Sequence, residues 1–349
     1  MKVKSDYIII GQGLAGSILA YNLINRGCSV KIFDDGNNSA SAVAAGLFNP
    51  LTGKRWVKTW KAEECFSKLA SFYPVLQEEL KSDFYFPKKL FRPFTSYREQ
   101  NDWSSKNSEE LDSLFIENVT DQPVIPDILH NPYGGLFIRN AGYINVAHLL
   151  EKLKMKFIQE GILVDEKFDE SQIKLNDNFV NYRDLEVRKI IFCNGIASSL
   201  SNYFSWLPFN PVKGEILTTD LGVEIDFIIS RGIFVIPESG TRYKVGATYD
   251  HGVLDTSVTG SAREYLSGKL HKVIREEFEV LGQAAGIRPA TRDRRPFIGI
   301  HPEFETIGIF NGFGSKGVSL IPYLSEIFTE HLLSGDNLEP GINIIRYFN

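Results

Sequence analysis

Three glycines near the start of the chain have the spacing that nucleotide-binding chemistry requires. Gly11, Gly13 and Gly16 form a G-x-G-x-x-G pattern, and the acidic Asp34 follows at about the 20-residue separation that such fingerprints show. Gly11 permits a tight turn, Gly13 lets the backbone approach a pyrophosphate, and Gly16 lets a helix pack closely on a strand. The Asp34 carboxylate can accept hydrogen bonds from an adenosine ribose. These residues predict a dinucleotide-binding site.

A strand, a helix and a second strand must position these residues. Residues 7–10 are a continuous apolar run that leads directly into the glycines, a helical pattern follows, and residues 30–34 are a second apolar run ending in the acid. This order predicts a βαβ unit with the glycines at the N-terminus of its helix. The alternative, a glycine-rich turn in an ordinary α/β domain, leaves Asp34 and the glycine spacing unexplained.

Composition limits the classes of protein to which the chain can belong. Its 349 residues are 43% hydrophobic and 23% charged, which is enough for a large core and roughly two domains. The formal net charge of −5 argues against a nucleic acid or an anionic membrane as partner. Cys28, Cys65 and Cys193 have no metal-ligand spacing, so we expect no metal site and no disulfide framework. We expect a cytoplasmic protein without a signal peptide or membrane span, and the sequence does not indicate its oligomeric state.

A second glycine-rich loop late in the chain narrows the choice of cofactor. Residues 311–317 precede an apolar helix that we expect to begin near Val318. Backbone donors from Gly314 to Val318 would face a group that becomes negative, such as the N1/C2=O edge of a reduced isoalloxazine. A nicotinamide dehydrogenase has no such need, so the loop favours FAD. The small residues at 35–46 would let a flat ring or phosphates lie against the backbone.

Periodicity predicts an α/β (α+β overall) protein: a Rossmann-like FAD-binding domain with an inserted β-rich substrate domain. The predicted FAD-binding domain comprises residues 1–80, 141–205 and 283–349, and the predicted substrate-binding domain comprises residues 81–140 and 206–282. Helices are expected at residues 61–82, 145–160 and 260–281, besides those that follow the two glycine loops.

Several motifs, taken in order, resemble one known family. They are residues 11–16, 44–46, 141–145, 210–214, 245–248, 286–293 and 312–317. Together they resemble the D-amino acid oxidase superfamily of FAD-dependent oxidoreductases, and within it the glycine oxidases. The Arg-Pro-Ala-Thr-Arg-Asp and Gly-Ser-Lys-Gly segments also resemble the oxidase domain of the bacterial bifunctional enzyme that remodels the wobble-uridine side chain of tRNA.

The resemblance implies an enzyme that dehydrogenates a carbon–nitrogen bond. Hydride would pass to flavin N5, the imine would hydrolyse in water, and O2 would reoxidise the flavin. No histidine or cysteine lies in residues 39–46 or 312–317, so we expect the FAD to be bound non-covalently. The predicted cofactor-binding residues are Gly11, Gly13, Leu14, Ala15, Gly16, Asp34, Asp35, Ala44, Ala45, Gly46, Asn194, Gly195, Gly312, Gly314, Ser315, Lys316, Gly317 and Val318.

Two basic residues are the predicted catalytic residues. Arg288 matches the family arginine that binds the substrate carboxylate, a task that suits a planar, bidentate donor. Lys244 is in register with a lysine that relatives of sarcosine oxidase place near flavin N5 to promote reaction with O2; the alternative is a solvated strand lysine. Phe234 stands where glycine oxidases have a carboxylate-binding tyrosine, and phenylalanine cannot donate that hydrogen bond. We expect Arg292, Arg294 and Arg295 to be solvated or structural.

Three functions follow from these observations. The favoured one is oxidation of a small amine or amino acid that bears a carboxylate, with O2 as acceptor. The second is a stand-alone tRNA side-chain oxidase, for which residues 54–61, read as a helix with Trp56 and Trp60 on one face among basic residues, would contact the RNA; tRNA is the less favoured partner. The third is a flavin-binding redox module without turnover, against which the retention of Arg288 speaks.

Overall fold

The computed structural model describes residues 2–37, 39–53, 57–105 and 114–348. The α-helices in these ranges are α1 (Leu14–Asn25), α2 (Ser39–Ala42), α3 (Ala62–Leu80), α4 (Tyr97–Ser104), α5 (Val146–Gln159), α6 (Gly260–Leu270) and α7 (Gly317–Ser334). Short 3-10 helices occupy Glu170–Gln172, Gly195–Leu200 and Ile344–Tyr347.

The strands are β1 (Val3–Ile10), β2 (Val30–Asp34), β3 (Leu47–Phe48), β4 (Leu51–Thr52), β5 (Val57–Lys58), β6 (Tyr85–Pro87), β7 (Leu90–Pro93), β8 (Ile116–Thr120), β9 (Gly135–Ile138), β10 (Gly142–Ile144), β11 (Leu163–Asp165), β12 (Ile173–Leu175), β13 (Val180–Tyr182), β14 (Leu185–Phe192), β15 (Val212–Asp220), β16 (Ile228–Ser230), β17 (Phe234–Ser239), β18 (Arg242–Gly246), β19 (Glu279–Arg288), β20 (Phe297–Ile300) and β21 (Ile307–Asn311). Most strands have six residues or fewer, whereas β1, β14, β15 and β19 have eight to ten.

The first sheet has a parallel centre that brings the carboxyl ends of its strands to one edge. Its order is β11-β2-β1-β14-β13-β12, with β21 also paired to β14. β1 is parallel to both neighbours, so that Ile10 lies between Phe33 and Phe192. Residues 7–10 of β1 and 190–192 of β14 are apolar and buried, because helices cover one face of the sheet and a second buried cluster covers the other. In such sheets a ligand binds at the carboxyl edge.

The second sheet is mainly antiparallel and runs β19-β15-β18-β17-β16-β7-β9-β8. Successive residues of a strand point to opposite faces. On β18, Tyr243 and Val245 belong to the cluster beneath α6. Lys244 therefore points to the other face, where Ile236 of the neighbouring strand joins the large core that the helices of the first sheet also form. This second face is the one turned toward the first sheet.

The α/β fold class, with a Rossmann-like unit beside a second β-rich sheet, is confirmed. The predicted domain boundaries stay a prediction. None of the described helices has the length and apolar character needed to cross a membrane.

Two helix predictions need correction. The helix expected at residues 260–281 ends at Leu270, because the chain then pairs with another segment. His130 N donates a 2.8 Å hydrogen bond to the Val273 carbonyl, and Leu129 forms a bridge with Ile274. Long-range pairing has overridden the local helical pattern.

The helix expected to carry Trp56 and Trp60 is also wrong where the structure describes it. Strand β5 pairs with β4 in a hairpin, and α3 begins only at Ala62. Gly53, with a φ of +78°, provides the turn after β4. Lys54, Arg55 and Trp56 lie outside the described residues.

Candidate active site

The turn after β1 can be built only with glycine. Gly11 has a φ of +99°, and a Cβ there would lie 2.9 Å from Cα of Asn194. Gly16 lies in α1, where a Cβ would lie 2.0 Å from the carbonyl oxygen of Gly11. Both distances are far below normal contact, so the two glycines let β1, α1 and the residues after β14 approach one another at the carboxyl edge of the sheet.

The N-terminus of α1 offers backbone donors to an anion. Gly13 is its N-cap and has no side chain that could accept their hydrogen bonds. Leu14 N lies 3.3 Å from the hydroxyl of Ser41, and Leu14 and Ala15 occupy the first turn, where backbone N–H groups have no partner inside the helix. Together with the helix dipole, such a terminus suits a pyrophosphate.

Asp34 is held at the end of β2 by backbone donors. Its Oδ2 accepts a 2.6 Å hydrogen bond from Gln12 N, and its Oδ1 accepts a 2.8 Å bond from Gly36 N. Each carboxylate oxygen has a second lone pair, so the oriented group can still accept from ribose hydroxyls. Asp35 is exposed, and its side chain accepts a 3.1 Å hydrogen bond from Asn37 N.

Residues 44–46 lie against β10. Gly46 has a φ of +73°, and a Cβ there would lie 1.8 Å from the carbonyl oxygen of Ile144, whose N–H donates to the Gly46 carbonyl at 3.0 Å. Ala44 and Ala45 precede this contact as small, largely buried residues. Gly46 therefore has a packing role besides the predicted cofactor role.

Asn194 and Gly195 follow β14 at the same edge as Gly11. The Asn194 side chain accepts a 2.5 Å hydrogen bond from Ser198 Oγ. Gly195 has a φ of +58°, no atom lies within 4 Å of its would-be Cβ, and its carbonyl accepts a 2.8 Å bond from Asn311 Nδ2. This contact ties the edge at β14 to the start of the second glycine loop.

The second glycine loop brings another helix N-terminus to this edge. Gly312 and Gly314 have φ values of +81° and +55°. At Gly317, the first residue of α7, a Cβ would lie 3.8 Å from Leu14 Cδ2, so the N-termini of α1 and α7 are neighbours. Val318 is buried and its carbonyl accepts a 2.9 Å bond from the Tyr73 hydroxyl.

The two remaining residues of this loop, Ser315 and Lys316, differ from each other in solvent exposure. Ser315 is exposed, whereas Lys316 is half-buried and is the N-cap residue of α7. Beside the loop, the hydroxyl oxygen of Thr291 is buried and has no hydrogen-bond partner in the described part of the chain.

These features fit FAD. Glycines let β1, α1 and the residues after β14 approach one another, two helix N-termini meet at one edge, and Asp34 is oriented beside them. With FAD bound, the pyrophosphate would lie at the N-terminus of α1 and the ribose at Asp34. Within the described ranges, no group of three or more histidine, cysteine or acidic side chains could hold a metal ion.

Arg288 ends β19 on the face of the second sheet that is turned toward the first. Its guanidinium covers Gly214, where a Cβ would lie 2.2 Å from Nη2, and Nη1 donates to the Thr248 carbonyl at 3.2 Å. The ring of Tyr249 stacks 4.6 Å from the guanidinium carbon. Burial lowers the pKa of Arg288, and no carboxylate of a described residue lies within 4 Å of it. A largely buried cation of this kind is suited to an anionic ligand.

Lys244 and Phe234 occupy the same face. Phe234 pairs with Gly246, and its ring lies 2.7 Å from the place of a Cβ on that glycine. Lys244 Nζ forms a 3.1 Å ion pair with Glu238, and its side chain is 22% exposed. Lys244 is thus neither a freely solvated lysine nor an isolated charge, and its role toward O2 stays a prediction.

Sequence reasoning missed three contributors to this face: Gly214, Tyr249 and Glu238. Gly214 and Tyr249 lie in or beside motifs that the sequence singled out, but only strand pairing brings them to Arg288. Glu238 reaches Lys244 across the β17–β18 pair, and no local pattern signals that contact.

Comparisons with known proteins agree with this geometry. Residues 6–331 match the family described as FAD dependent oxidoreductase. The chain is 24% identical to the glycine oxidase of Pseudomonas putida over 374 residues, which cover 99% of this chain and 98% of the relative. It is 23% identical to the tRNA 5-methylaminomethyl-2-thiouridine biosynthesis bifunctional protein of Legionella pneumophila, covering 93% of this chain but only 54% of that protein. The crystal structure of iminodiacetate oxidase from Chelativorans sp. BNC1 superimposes with a TM-score of 0.80, at 20% identity and 98% coverage of both chains.

The family match covers most of the chain, and the two helix N-termini and the oriented Asp34 are features that suit a dinucleotide. The resemblance that the motifs indicate, the oxidoreductase class and FAD as cofactor are thereby confirmed. The chain belongs to the FAD-dependent oxidoreductase family.

Proposed function

We propose that this enzyme oxidises the carbon–nitrogen bond of an amine or amino acid that carries a carboxylate. The observation that carries the proposal is Arg288, a largely buried guanidinium without a carboxylate partner among the described residues, on the sheet face turned toward the FAD-binding edge. A cation in this position is costly unless it binds an anion. The names of the glycine oxidase and iminodiacetate oxidase relatives support the same substrate class.

Arg288 binds and orients the substrate. A guanidinium donates two parallel hydrogen bonds to a carboxylate, which fixes both position and plane. The Thr248 carbonyl takes one N–H of Nη1 and Tyr249 covers one face of the guanidinium, so the remaining donors keep a fixed direction. Because Arg288 pairs with Val212 across the strands, the bound carboxylate would be fixed relative to the whole sheet.

FAD, when bound, supplies the acceptor for the hydride that leaves the carbon next to the nitrogen. The chain's own residues hold the amine in place, and this chemistry does not require a side-chain general base. We propose O2 as the final acceptor. The Lys244 ammonium would stabilise the anion formed when O2 takes up its first electron, and Glu238 fixes the direction of that ammonium.

Because residue 234 is a phenylalanine, the substrate should differ from the glycine that glycine oxidases take. Phe234 offers no hydroxyl to the carboxylate, whereas Tyr249 stacks on the guanidinium and is 66% exposed. The carboxylate would therefore depend on Arg288 for its charged contacts, and the amine would need a further anchor elsewhere in the site.

Anaerobic bleaching of the flavin tests the proposal. The purified holoenzyme is mixed with N-methyl, N-carboxymethyl and D-amino acids and with unfractionated tRNA, and the loss of oxidised flavin absorbance is followed. Bleaching by one class of carboxylated amine is the expected result. Bleaching by none of them, with bleaching by dithionite intact, would reject the proposed substrate class.

A tRNA side-chain oxidase is the second candidate. One observation favours it: Arg295 stacks on Trp60 at 4.7 Å beside other cations, an arrangement that also occurs where nucleic-acid bases and phosphates bind. Phosphate contacts release counterions, so tRNA binding would weaken steeply as salt rises. Bleaching by a small amine should show no such dependence.

A further inference from the structure

Three cationic side chains, Lys316, Arg294 and Arg295, lie near one another beside the second glycine loop. We call them the basic cluster. Arg295 and Arg294 both act electrostatically on Lys316. The sequence predicted a cofactor-binding role for Lys316 and a solvated or structural role for the two arginines, and it did not indicate that the three act together.

The contacts of the cluster are with neutral groups. Lys316 Nζ lies 3.4 Å from the hydroxyl of Thr52 and 3.5 Å from that of Thr59, at the outer limit of a hydrogen bond. The Arg295 guanidinium carbon lies 4.7 Å from the ring centre of Trp60. Because Thr59 and Trp60 are consecutive residues, Lys316 and Arg295 contact the same short segment. Thr59 in this segment is buried.

No ion pair with a described residue balances the positive charge of the cluster. In the described ranges, no aspartate or glutamate lies within 4 Å of the three cationic side chains. Lys61, next in the chain to Trp60, shows the contrast: it has ion pairs of 2.6 Å to Glu339 and 3.7 Å to Glu64. Burial lowers the pKa of Lys316, and the two arginines lower it further. An anion bound between these groups would relieve both effects.

The cluster is close in the fold to the proposed carboxylate site. The chain runs from Arg288 through the turn at residues 289–294 to Arg295. Gly314 N donates to the Pro289 carbonyl at 3.3 Å, so this turn packs on the loop that carries Lys316. Arg288 and the basic cluster therefore stand at the two ends of one turn.

We propose that the basic cluster binds a second anionic group of the substrate, so that the amine carries a carboxylate or phosphate in addition to the carboxylate at Arg288. The inference rests on the proposed function, since it extends the same site. Trp60 stacks on Arg295, and Lys316 Nζ lies near the hydroxyls of Thr52 and Thr59, so both cations stand beside the segment that contains Thr59 and Trp60. A substrate with two acidic groups would thus be anchored at both ends, which supplies the anchor that Phe234 does not provide.

Calorimetry with non-oxidisable acids tests the second anion site directly. The holoenzyme is titrated with succinate, glutarate and adipate, with the monocarboxylates of the same chain lengths, and with 3-phosphonopropionate. At least one diacid should bind tenfold or more tightly than its monocarboxylate, and the ranking of succinate against 3-phosphonopropionate distinguishes a carboxylate from a phosphate ligand. Equal affinities of diacids and monocarboxylates throughout the series would overturn the inference.

Matched variants locate the effect. Lys316→Met and Arg295→Gln should each reduce the diacid advantage at least fivefold, with FAD content and far-UV circular dichroism used to verify folding. Lys174→Met and Arg263→Gln remove the same charges from exposed positions on β12 and α6 and should keep the full advantage. A diacid advantage that survives in both cluster variants would overturn the assignment.

The outcomes separate this inference from the proposed function. If monocarboxylated amines bleach the flavin but diacids gain nothing, the cluster inference fails alone. If diacids bind through the cluster but no carboxylated amine bleaches the flavin, the proposed function fails and the anion site stands. Displacement of the diacid by unfractionated tRNA, with an affinity that falls steeply with salt, would replace a small substrate by a nucleic acid and overturn the inference.

Discussion

The guanidinium of Arg288 lies in the space that a side chain on Gly214 would occupy. A Cβ at Gly214 would be 2.2 Å from Nη2 and 2.3 Å from Cζ of Arg288. β15 and β19 are antiparallel neighbours in which Val212 pairs with Arg288 and Gly214 with Gly286, so the arginine side chain extends along the sheet to cover Gly214. The direction of the Arg288 guanidinium, and with it the position of the proposed carboxylate, therefore depends on a glycine of the neighbouring strand.

Gly214→Ala should displace the guanidinium without altering the FAD site. We expect KM for the amine to rise about tenfold or more, because misplacing a charged hydrogen-bonding partner costs roughly 2 to 5 kcal/mol when the pair is desolvated. Steady-state kinetics and the flavin spectrum measure the two effects separately. Gly282→Ala is the matched control on the same strand pair, since a Cβ there would meet only Thr218, at 3.9 Å. An unchanged KM in the Gly214 variant would contradict the proposed direction of Arg288.

Arg288→Lys should weaken substrate binding more than it alters the flavin spectrum. A lysine keeps the charge but loses the planar pair of donors, and it cannot donate to Thr248 while binding a carboxylate in two places. We expect a higher KM and a weaker diacid affinity by calorimetry. Arg292→Lys, at an exposed position in the following turn, is the control. Equal Michaelis constants in the parent and Arg288→Lys would reject the carboxylate contact.

The elements around FAD could be predicted because their signals are local. The glycines, the strand before them and Asp34 lie within one βαβ unit, so spacing alone determines their arrangement. The surroundings of Arg288 depend instead on register between distant strands. A bulge between Thr218 and Thr219 shifts that register, and no sequence pattern specified it. The contact of Tyr249 with Arg288 therefore became visible only in the structure.

Gly13→Val tests the FAD site without straining the backbone. Gly13 has φ −70° and ψ −178°, an extended conformation that any residue adopts. The new side chain would occupy the approach of the pyrophosphate, so we expect a folded but colourless protein, measured by FAD content and far-UV circular dichroism. Gly260→Val should stay yellow, because no atom lies within 4 Å of a Cβ at that position. Parent-like FAD affinity in the Gly13 variant would contradict the assignment.

Acid precipitation should release the flavin into the supernatant. Covalent attachment through sulfur needs a reactive thiolate, and burial raises the pKa of Cys65 to about 12. Burial also raises the pKa of Cys193, which adjoins the turn at Gly11. Both thiols therefore stay protonated near neutral pH. Yellow colour that remains in the precipitate and comigrates with the chain on a denaturing gel would show a covalent link and contradict the prediction.

The charge of Lys244 should affect reoxidation of the flavin rather than oxidation of the substrate. O2 reduction begins with transfer of one electron, which creates an anion before any proton moves, and a fixed ammonium nearby stabilises that charge. Lys244→Met keeps much of the side-chain length and removes the charge. We expect the reduced enzyme to react with O2 at least tenfold more slowly in stopped-flow mixing, which corresponds to about 1.4 kcal/mol of barrier.

Glu238→Gln is the matched variant, because it removes the carboxylate that lies 3.1 Å from the Lys244 ammonium and leaves the cation in place. Its reoxidation should be as fast as in the parent or faster, while anaerobic reduction by substrate stays unchanged in both variants. If Lys244→Met reoxidises at the parent rate, the ion pair holds β17 to β18 only, and another molecule than O2 has to be sought as the electron acceptor.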